Sequence, residues 1–213
     1  MIEGHGIEGH GDEGTARTAA AIEAFMAGRG GSSRVALRPL TRHDQDEFVE
    51  LVRASADLHH PWMSLPATPE AFQSYLGRFD HATAQSLLIC VRGTGAVAGL
   101  VNINSIIRGR LQSASLGYAA FTPAAGRGYM SEGLRLVLHY AFEQLRLHRL
   151  EAQIQPGNHA SLKLVERLGF RKEGFSPELL FIDGGWRDHE RWAVTASMIG
   201  ITSWDPHPTL PVR

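Results

Sequence analysis

Two short stretches hold the residues whose types and spacing could do chemistry. In the first, Gly126-Arg127-Gly128-Tyr129-Met130-Ser131-Glu132 follows the apolar run Leu116–Phe121 and opens a segment of helical periodicity. A strand, a glycine loop and a helix start gather free backbone amides at the positive end of a helix dipole, an arrangement suited to a pyrophosphate. Gly126 and Gly128 would let the main chain approach such a group closely. Alone the pattern is weak, because many turns place Gly-x-Gly before a helix. It also departs from the dinucleotide fingerprint, since the third glycine is missing and no β-α-β unit surrounds it. The second stretch runs from Asn158 to Phe170. Asn158 is a good N-cap, Ser161 sits in the first turn, and Leu162, Leu164, Val165 and Leu168 recur at helical spacing until Gly169 stops the helix. Asn158 and Ser161 read either as the polar wall of a ligand site or simply as a cap and a first-turn serine.

The elements that must position these residues follow from periodicity and punctuation. Val35–Leu40 reads as a first strand, followed by a helix from Thr41 to about Asp57 and a turn at His59-His60-Pro61-Trp62 that leaves an aromatic exposed. Thr68-Pro69-Glu70 starts a second helix. Strands are predicted at about 85–92 and 96–106, turned at Gly93-Thr94-Gly95, and a third ends at Phe121 after Arg108-Gly109-Arg110. A long helix spans roughly 126–146, burying Leu134, Val137, Leu138, Ala141 and Leu145. A strand at 149–155, the short helix at 158–168 and a hairpin of 174–182 with 187–198, turned at Asp183-Gly184-Gly185, complete the order β-αα-βββ-α-β-α-ββ. This is an α/β (α+β) chain with a mixed, mainly antiparallel seven-stranded sheet flanked by helices, and not a doubly wound fold.

Composition narrows the function. The chain has 213 residues, a formal net charge of −1 and one cysteine. Near-neutral charge gives no global reason to expect nucleic acid or a membrane surface. Cys90, inside the apolar run Ser86–Val91, excludes an internal disulfide and reads as a buried structural thiol. No transmembrane stretch or signal peptide is apparent, so a cytoplasmic protein is expected. Residues 2–6 and 7–11 are an identical repeat, Ile-Glu-Gly-His-Gly. His5 and His10 lack partners at zinc-site spacing, and no metal is expected. Residues 1–33 read as a disordered or non-native leader containing at most a weak helix at 15–27, with Met26 an alternative start. The folded domain is expected at 34–199 and an irregular tail at 200–213.

Taken together, the glycine loop and the Asn158–Phe170 helix resemble the acetyl-coenzyme A site of the GNAT acetyltransferases, and the element order from Val35 to Ser197 is that of their fold. Glu173-Gly174-Phe175, Leu180–His189, Asn102–Gly109 and His60-Pro61-Trp62 resemble the RimJ branch, which acetylates the N-terminal alanine of a small-subunit ribosomal protein. The resemblance implies acetyl-CoA as co-substrate. It places Phe121, Gly126, Arg127, Gly128, Tyr129, Met130, Ser131, Asn158 and Ser161 on the coenzyme, with the Ser161 hydroxyl at its sulfur in a catalytic role. Trp62, Asn104, Arg108 and Tyr118 would contact the acceptor, a protein N-terminus or peptide that could be ribosomal. The oligomeric state is left as monomer or homodimer. The loop departs from the family at Pro123, where Gln or Arg is usual, which puts one side-chain contact in doubt. The Asp183–His189 segment reads equally as a structural turn, with Trp186 packed on the sheet, or as a substrate contact. Asp188-His189-Glu190 invites a hydrolytic triad, but no Gly-x-Ser-x-Gly elbow accompanies it.

The implied chemistry is direct attack of an amine on a thioester in a ternary complex. An α-amine of pKa near 7.7–8.0 is roughly a tenth neutral at pH 7, whereas a lysine near 10.4 is under ~0.1 % neutral. A terminal amine therefore needs only a weak base, in keeping with a chain in which no carboxylate stands out as one. Glu178 lies on the right hairpin, but its facing is not legible. A strand amide near Phe121 would polarise the carbonyl. Two other functions fit the same residues: acetylation of a small amine, antibiotic or aminoacyl conjugate, and a non-catalytic module that binds acyl-CoA or the ribosome.

Overall fold

The computed structural model describes residues 9–28 and 33–201. Residues 1–8, which hold His5 and most of the repeat, and the proline-bearing end of the tail lie outside the described residues. Helix α1 (Gly9–Gly28) precedes β1 (Val35–Pro39), α2 (Gln45–Ala54), α3 (Ala56–His59) and α4 (Pro69–Leu76). Strands β2 (Gln85–Val91), β3 (Val97–Ile107) and β4 (Ser113–Ala120) follow, then α5 (Tyr129–His139), β5 (Arg149–Ile154), α6 (His159–Arg167), β6 (Arg171–Ile182) and β7 (Gly185–Thr195).

One seven-stranded sheet has the order β1-β2-β3-β4-β5-β7-β6. Every neighbouring pair is antiparallel except β4 and β5. That parallel pair is held only at Ser113–Arg149, Ala114–Leu150 and Ser115–Glu151, after which the strands diverge. The core lies on both faces. Strand β2 shows the division: Leu87 and Ile89 join a cluster with α1 and α5, while Leu88 and Cys90 join one with Phe48, Phe72 and Tyr75 from α2 and α4. Period-two alternation in a strand buried on both faces produces this pattern.

Three differences from the sequence expectation have physical causes. The leader contains a full helix: Ile22 and Phe25 of α1 are buried, and Phe25 meets the Tyr140 ring edge-on at 5.9 Å. The helix after β1 breaks at Ser55 because the buried Ser55 Oγ accepts the Thr122 N–H at 2.9 Å, a bond to a distant loop. The long helix ends regular α geometry at His139 and continues as a π turn over Tyr140–Gln144.

Gly133 decides how closely α5 lies on the sheet. A Cβ there would stand 2.3, 2.6 and 2.7 Å from three side-chain carbons of Ile89. Only glycine permits that distance, so the start of α5 is seated by a residue in its second turn.

Candidate active site

The glycine loop has the conformation that makes its amides available. Gly126 (φ +75°) and Gly128 (φ +82°) are both left-handed, and Gly128 is the N-cap of α5. The first helical bond of the loop is Glu132 N–H to the Gly128 carbonyl at 3.2 Å. The N–H groups of Tyr129, Met130 and Ser131 thus have no intrahelical acceptor and point out of the helix start. Arg34, which the sequence reading did not single out, braces this loop. Its Nε donates to Glu132 Oε1 at 2.7 Å and its Nη2 to the Arg127 carbonyl at 3.0 Å, and its guanidinium lies 4.9 Å from the centre of the Tyr129 ring. The Arg34 guanidinium bonded to Glu132 holds that carboxyl below the usual range.

Divergence of β4 from β5 opens a cavity of ≈ 450 Å³ beside this loop. Its walls include Leu116–Ala120 of β4, Gln153–Gln155 at the end of β5, Asn158 and Ser161 of α6, and Gly126 with Gly128–Ser131. Asn158 Oδ1 accepts the Ser161 N–H at 3.1 Å, which fixes the first turn of α6, and the Ser161 side chain is hydrogen-bonded to the Tyr118 hydroxyl. Burial pushes the Tyr118 hydroxyl up to about 12, so it stays protonated, and it donates to the Ser161 carbonyl at 3.5 Å.

At the other end of the cavity stand Leu58, His59, Trp62 and Met63. Gln155 Nε2 ties this turn to β5 by donating to the Trp62 carbonyl at 3.1 Å. Asp183, at the tip of the β6–β7 hairpin, accepts from Ser64 and lies 3.6 Å from His60 Nδ1. The turn and the hairpin are therefore joined beside this end of the cavity.

The structure gathers Gly126, Gly128, Tyr129, Met130, Ser131, Asn158, Ser161, Tyr118 and Trp62 around one cavity, and does not gather the rest. Phe121, expected on the coenzyme, is not in the wall: its side chain is fully buried against Phe48 and His59, and its N–H donates to the Ala98 carbonyl at 3.0 Å, so a strand amide near it must come from another residue. Because neighbouring residues in a strand address opposite edges, Ala120 and Tyr118 are the ones whose N–H groups face the gap. Arg108 lies outside the cavity wall and donates to the Leu145 carbonyl at the end of the π turn, a helix-end bond. Arg127 is exposed and contributes its carbonyl to Arg34. Asn104 is also outside the wall, its Nδ2 behind Gly117. Trp62 is half-buried, not exposed: its ring rests on Gly157, where a Cβ would be 3.1 Å away. Trp186 is 60 % exposed and meets the ring of Phe181, its cross-strand partner on β6, edge-on at 5.6 Å. Glu178, at φ +47°, is exposed and absent from the wall.

Two histidines in the wall, His59 and His189, were not expected there. They are 130 positions apart, and only the sheet order brings them to one cavity. Among the described residues no three His, Cys, Asp or Glu side chains gather as a metal ion would require.

Residues 34–171 match the family model of the Acetyltransferase (GNAT) domain. The chain belongs to the GNAT family. It is 32 % identical over 166 residues to a Bacillus subtilis protein described as "Probable N-acetyltransferase YjcK", covering 74 % of this chain and 92 % of that one. It is 37 % identical over 99 residues to the [Ribosomal protein uS5]-alanine N-acetyltransferase of Escherichia coli, a match covering 46 % of this chain and 51 % of that enzyme. Among solved structures it is similar to Mycobacterium smegmatis RimJ in complex with CoA-disulfide, with a TM-score of 0.72, 27 % identity, and coverage of 78 % of this chain and 84 % of that one. This GNAT chain is thus related to the ribosomal-protein N-acetyltransferase branch and moves an acetyl group from acetyl-CoA to an amine. No helix among its described residues is long and apolar enough to cross a membrane.

Proposed function

We propose that the acceptor is the α-amine of a protein N-terminus, as in the RimJ-like enzymes, and that acetyl transfer proceeds by direct attack within the cleft. The observation that carries this reading is the charge of the wall. Among its described residues there is no carboxylate; Arg167 is the charged side chain, accompanied by His59 and His189. A polyamine or aminoglycoside, with several cationic groups to neutralise, would find no counter-charge here. A peptide terminus presents one amine that is partly neutral near pH 7. The half-buried Trp62 and the apolar Leu58 and Met63 suit the side chain that follows such a terminus.

The coenzyme would lie with its pyrophosphate on the amides of the Gly126–Ser131 loop, Arg127 contributing main chain only. Its pantetheine arm would run in the gap between β4 and β5. There the Ala120 and Tyr118 N–H groups can bond to it as a missing strand would, and one can polarise the thioester carbonyl. Asn158 holds the turn that presents Ser161, whose hydroxyl would stabilise the departing thiolate. The Tyr118 hydroxyl, protonated throughout, supports the same turn.

The test is a competition between acceptors. Peptides beginning with alanine or serine should release free thiol from acetyl-CoA and gain an acetyl group, at a rate that rises with pH and levels near 8. Blocking the N-terminus should abolish product even when a lysine is present. Preferential acetylation of a polyamine, or of the blocked peptide, would replace this reading with the small-amine one.

A further inference from the structure

An amine that becomes an amide must give up a proton, and the cavity wall offers no carboxylate to take it. Apart from Arg167, whose guanidinium stays protonated, His59 and His189 are the basic groups in that wall. Each has one ring nitrogen bonded to a main-chain carbonyl, which can only accept. That nitrogen therefore carries the proton, and in the neutral ring the other nitrogen is a lone pair. His59 uses Nε2 on the Ala120 carbonyl at 2.9 Å, and its ring meets Phe121 edge-on. It is a bracket between α3 and the edge of β4.

His189 differs. Its Nδ1 donates to the Arg187 carbonyl at 2.8 Å, two residues back on its own strand, which leaves Nε2 as the acceptor. The residue is only 2 % exposed, yet it lines the cavity. A ring nitrogen without a partner in so buried a residue must either be sealed off or open on the cavity. Among the described residues the sealed side-chain atoms without partners are His81 Nδ1 and Gln112 Oε1, so His189 Nε2 is not sealed. It opens on the cavity. Burial lowers the affinity of the ring for a proton, more than the Arg187 carbonyl and Asp188 raise it, so the ring is neutral near pH 7. The hydrolytic triad is excluded by the same bonds, because Asp188 Oδ1 accepts the Glu178 N–H at 2.9 Å and does not orient the imidazole.

We propose that His189 is the proton acceptor of the acetyl transfer, receiving at Nε2 the proton lost by the attacking amine. The proposal rests on acetyl transfer in this cavity and is independent of which amine is used. The neutral amine adds to the thioester carbonyl, forming the N–C bond as the carbonyl π pair moves to oxygen. The cationic nitrogen of the adduct then passes one proton to Nε2. When the oxygen pair returns, the C–S bond breaks and the thiolate leaves with its electrons. It takes back one proton from His189, directly or through water, and the ring ends neutral. Amine and thioester become amide and thiol with nothing left over.

The groups around the ring are few. Asp188 is the acid beside it on its own strand, Ser176 of β6 pairs with His189 itself, the end of β5 supplies the neutral Gln153 and Gln155, and Arg167, Tyr118 and His59 are among the other wall groups that can bear charge or donate a proton.

The decisive variant is His189→Asn, whose Nδ2–H can keep the bond to Arg187 while the base is gone. With a free-terminus peptide and with spermidine as acceptors, kcat should fall about 100-fold or more, the scale of general-base catalysis. The affinity for acetyl-CoA, by calorimetry, should stay within about twofold. In His189→Ala, added imidazole should restore at least tenfold of the lost rate, in proportion to its free-base fraction as pH is varied. Wild-type kcat in a folded His189→Asn, or a loss that no imidazole recovers and that coenzyme affinity shares, would overturn the proposal. Should spermidine be acetylated and every peptide refused, the acceptor assignment falls while His189 is judged on spermidine. Should peptides be acetylated equally by wild type and His189→Asn, the acceptor assignment stands and His189 falls.

Discussion

Replacing Gly133 by alanine tests whether the cofactor loop is held by the seating of α5 on the sheet. The added methyl would lie 2.3–2.7 Å from Cδ1, Cγ1 and Cγ2 of Ile89, which is fully buried in β2. These carbons belong to a β-branched side chain with restricted χ1 and packed surroundings, so the helix must lift. Alanine for glycine in a helix contributes about 1 kcal/mol of stability, whereas overpacking costs about 1–3 kcal/mol. The expected net is a loss of about 1–2 kcal/mol, the upper part of that balance, because three carbons are approached rather than one flexible end. A domain of this size should then melt roughly 2–8 °C lower. The amides of Tyr129–Ser131 ride on the same helix, so acetyl-CoA affinity should weaken severalfold while kcat at saturation changes less. Urea denaturation and calorimetric titration read the two effects. Ile89→Ala removes all three carbons and should by itself cost about 2–5 kcal/mol. In the double variant the methyl added in place of the Gly133 hydrogen occupies part of the vacated space, so the combined loss should fall short of the sum by about 1 kcal/mol or more. A Gly133→Ala protein that is more stable than wild type, or two losses that simply add, would refute the seating argument.

Gly128→Val places a β-branched residue at φ +82° in the loop itself; the domain should still fold, and calorimetry should find acetyl-CoA binding lost. Ser161→Ala should lower kcat about ten- to a hundredfold, the scale of one hydrogen bond to a charged group worth about 1.5–3 kcal/mol, with KM little changed; wild-type turnover would show that another group meets the sulfur. Asp80 provides a pH test. Burial would raise its carboxyl, but hydrogen bonds from the Thr83 hydroxyl and from the N–H groups of Thr83, Ala84 and Ala82 outweigh that and hold it at about 2. A depressed carboxyl contributes stability that is full above its unfolded value and is lost as pH falls through the folded one. The stability gap between wild type and Asp80→Asn, measured in urea, should therefore be widest above pH 4 and close toward pH 2; a gap independent of pH would refute the assignment.

The parts of the site visible in the sequence are those fixed by local rules. Asn158 caps α6 three residues from the N–H it accepts, Gly169 ends the same helix at φ +87°, and Gly126 and Gly128 stand where left-handed backbone is needed. Whatever depends on a distant partner was hidden. Phe121 and Ala120 are neighbours in a strand, and only the pairing with β3 decides which of them addresses the gap. Arg108 looks like a substrate ligand until the Leu145 carbonyl is found beside it. The break at Ser55 is made by Thr122, and the burial of Phe25 by Tyr140, each more than sixty residues away. His189 carried a signal, but its neighbours Asp188 and Glu190 suggested a triad; the strand register that turns its ring to the cavity is not written locally. Arg34 has no periodicity or motif to mark it, and its role emerges only when β1 is laid beside α5.

If the coenzyme lies where the parallel seam between β4 and β5, three residue pairs long, gives way to a gap, as proposed above, the abundance of this protein should depend on metabolism. Main-chain groups along Leu116–Ala120 that the diverging strands leave open would be satisfied by water or by the bound coenzyme, and an unfolded chain would offer the coenzyme no such place. A ligand at 100 times its Kd adds about 2.7 kcal/mol to the folded state, a large share of the 5–15 kcal/mol typical of a domain. A cell short of acetyl-CoA would then lose enzyme to its proteases as well as turnover. The product, coenzyme A, keeps every contact except that of the acetyl group, and so would guard the fold nearly as well while the enzyme stands idle.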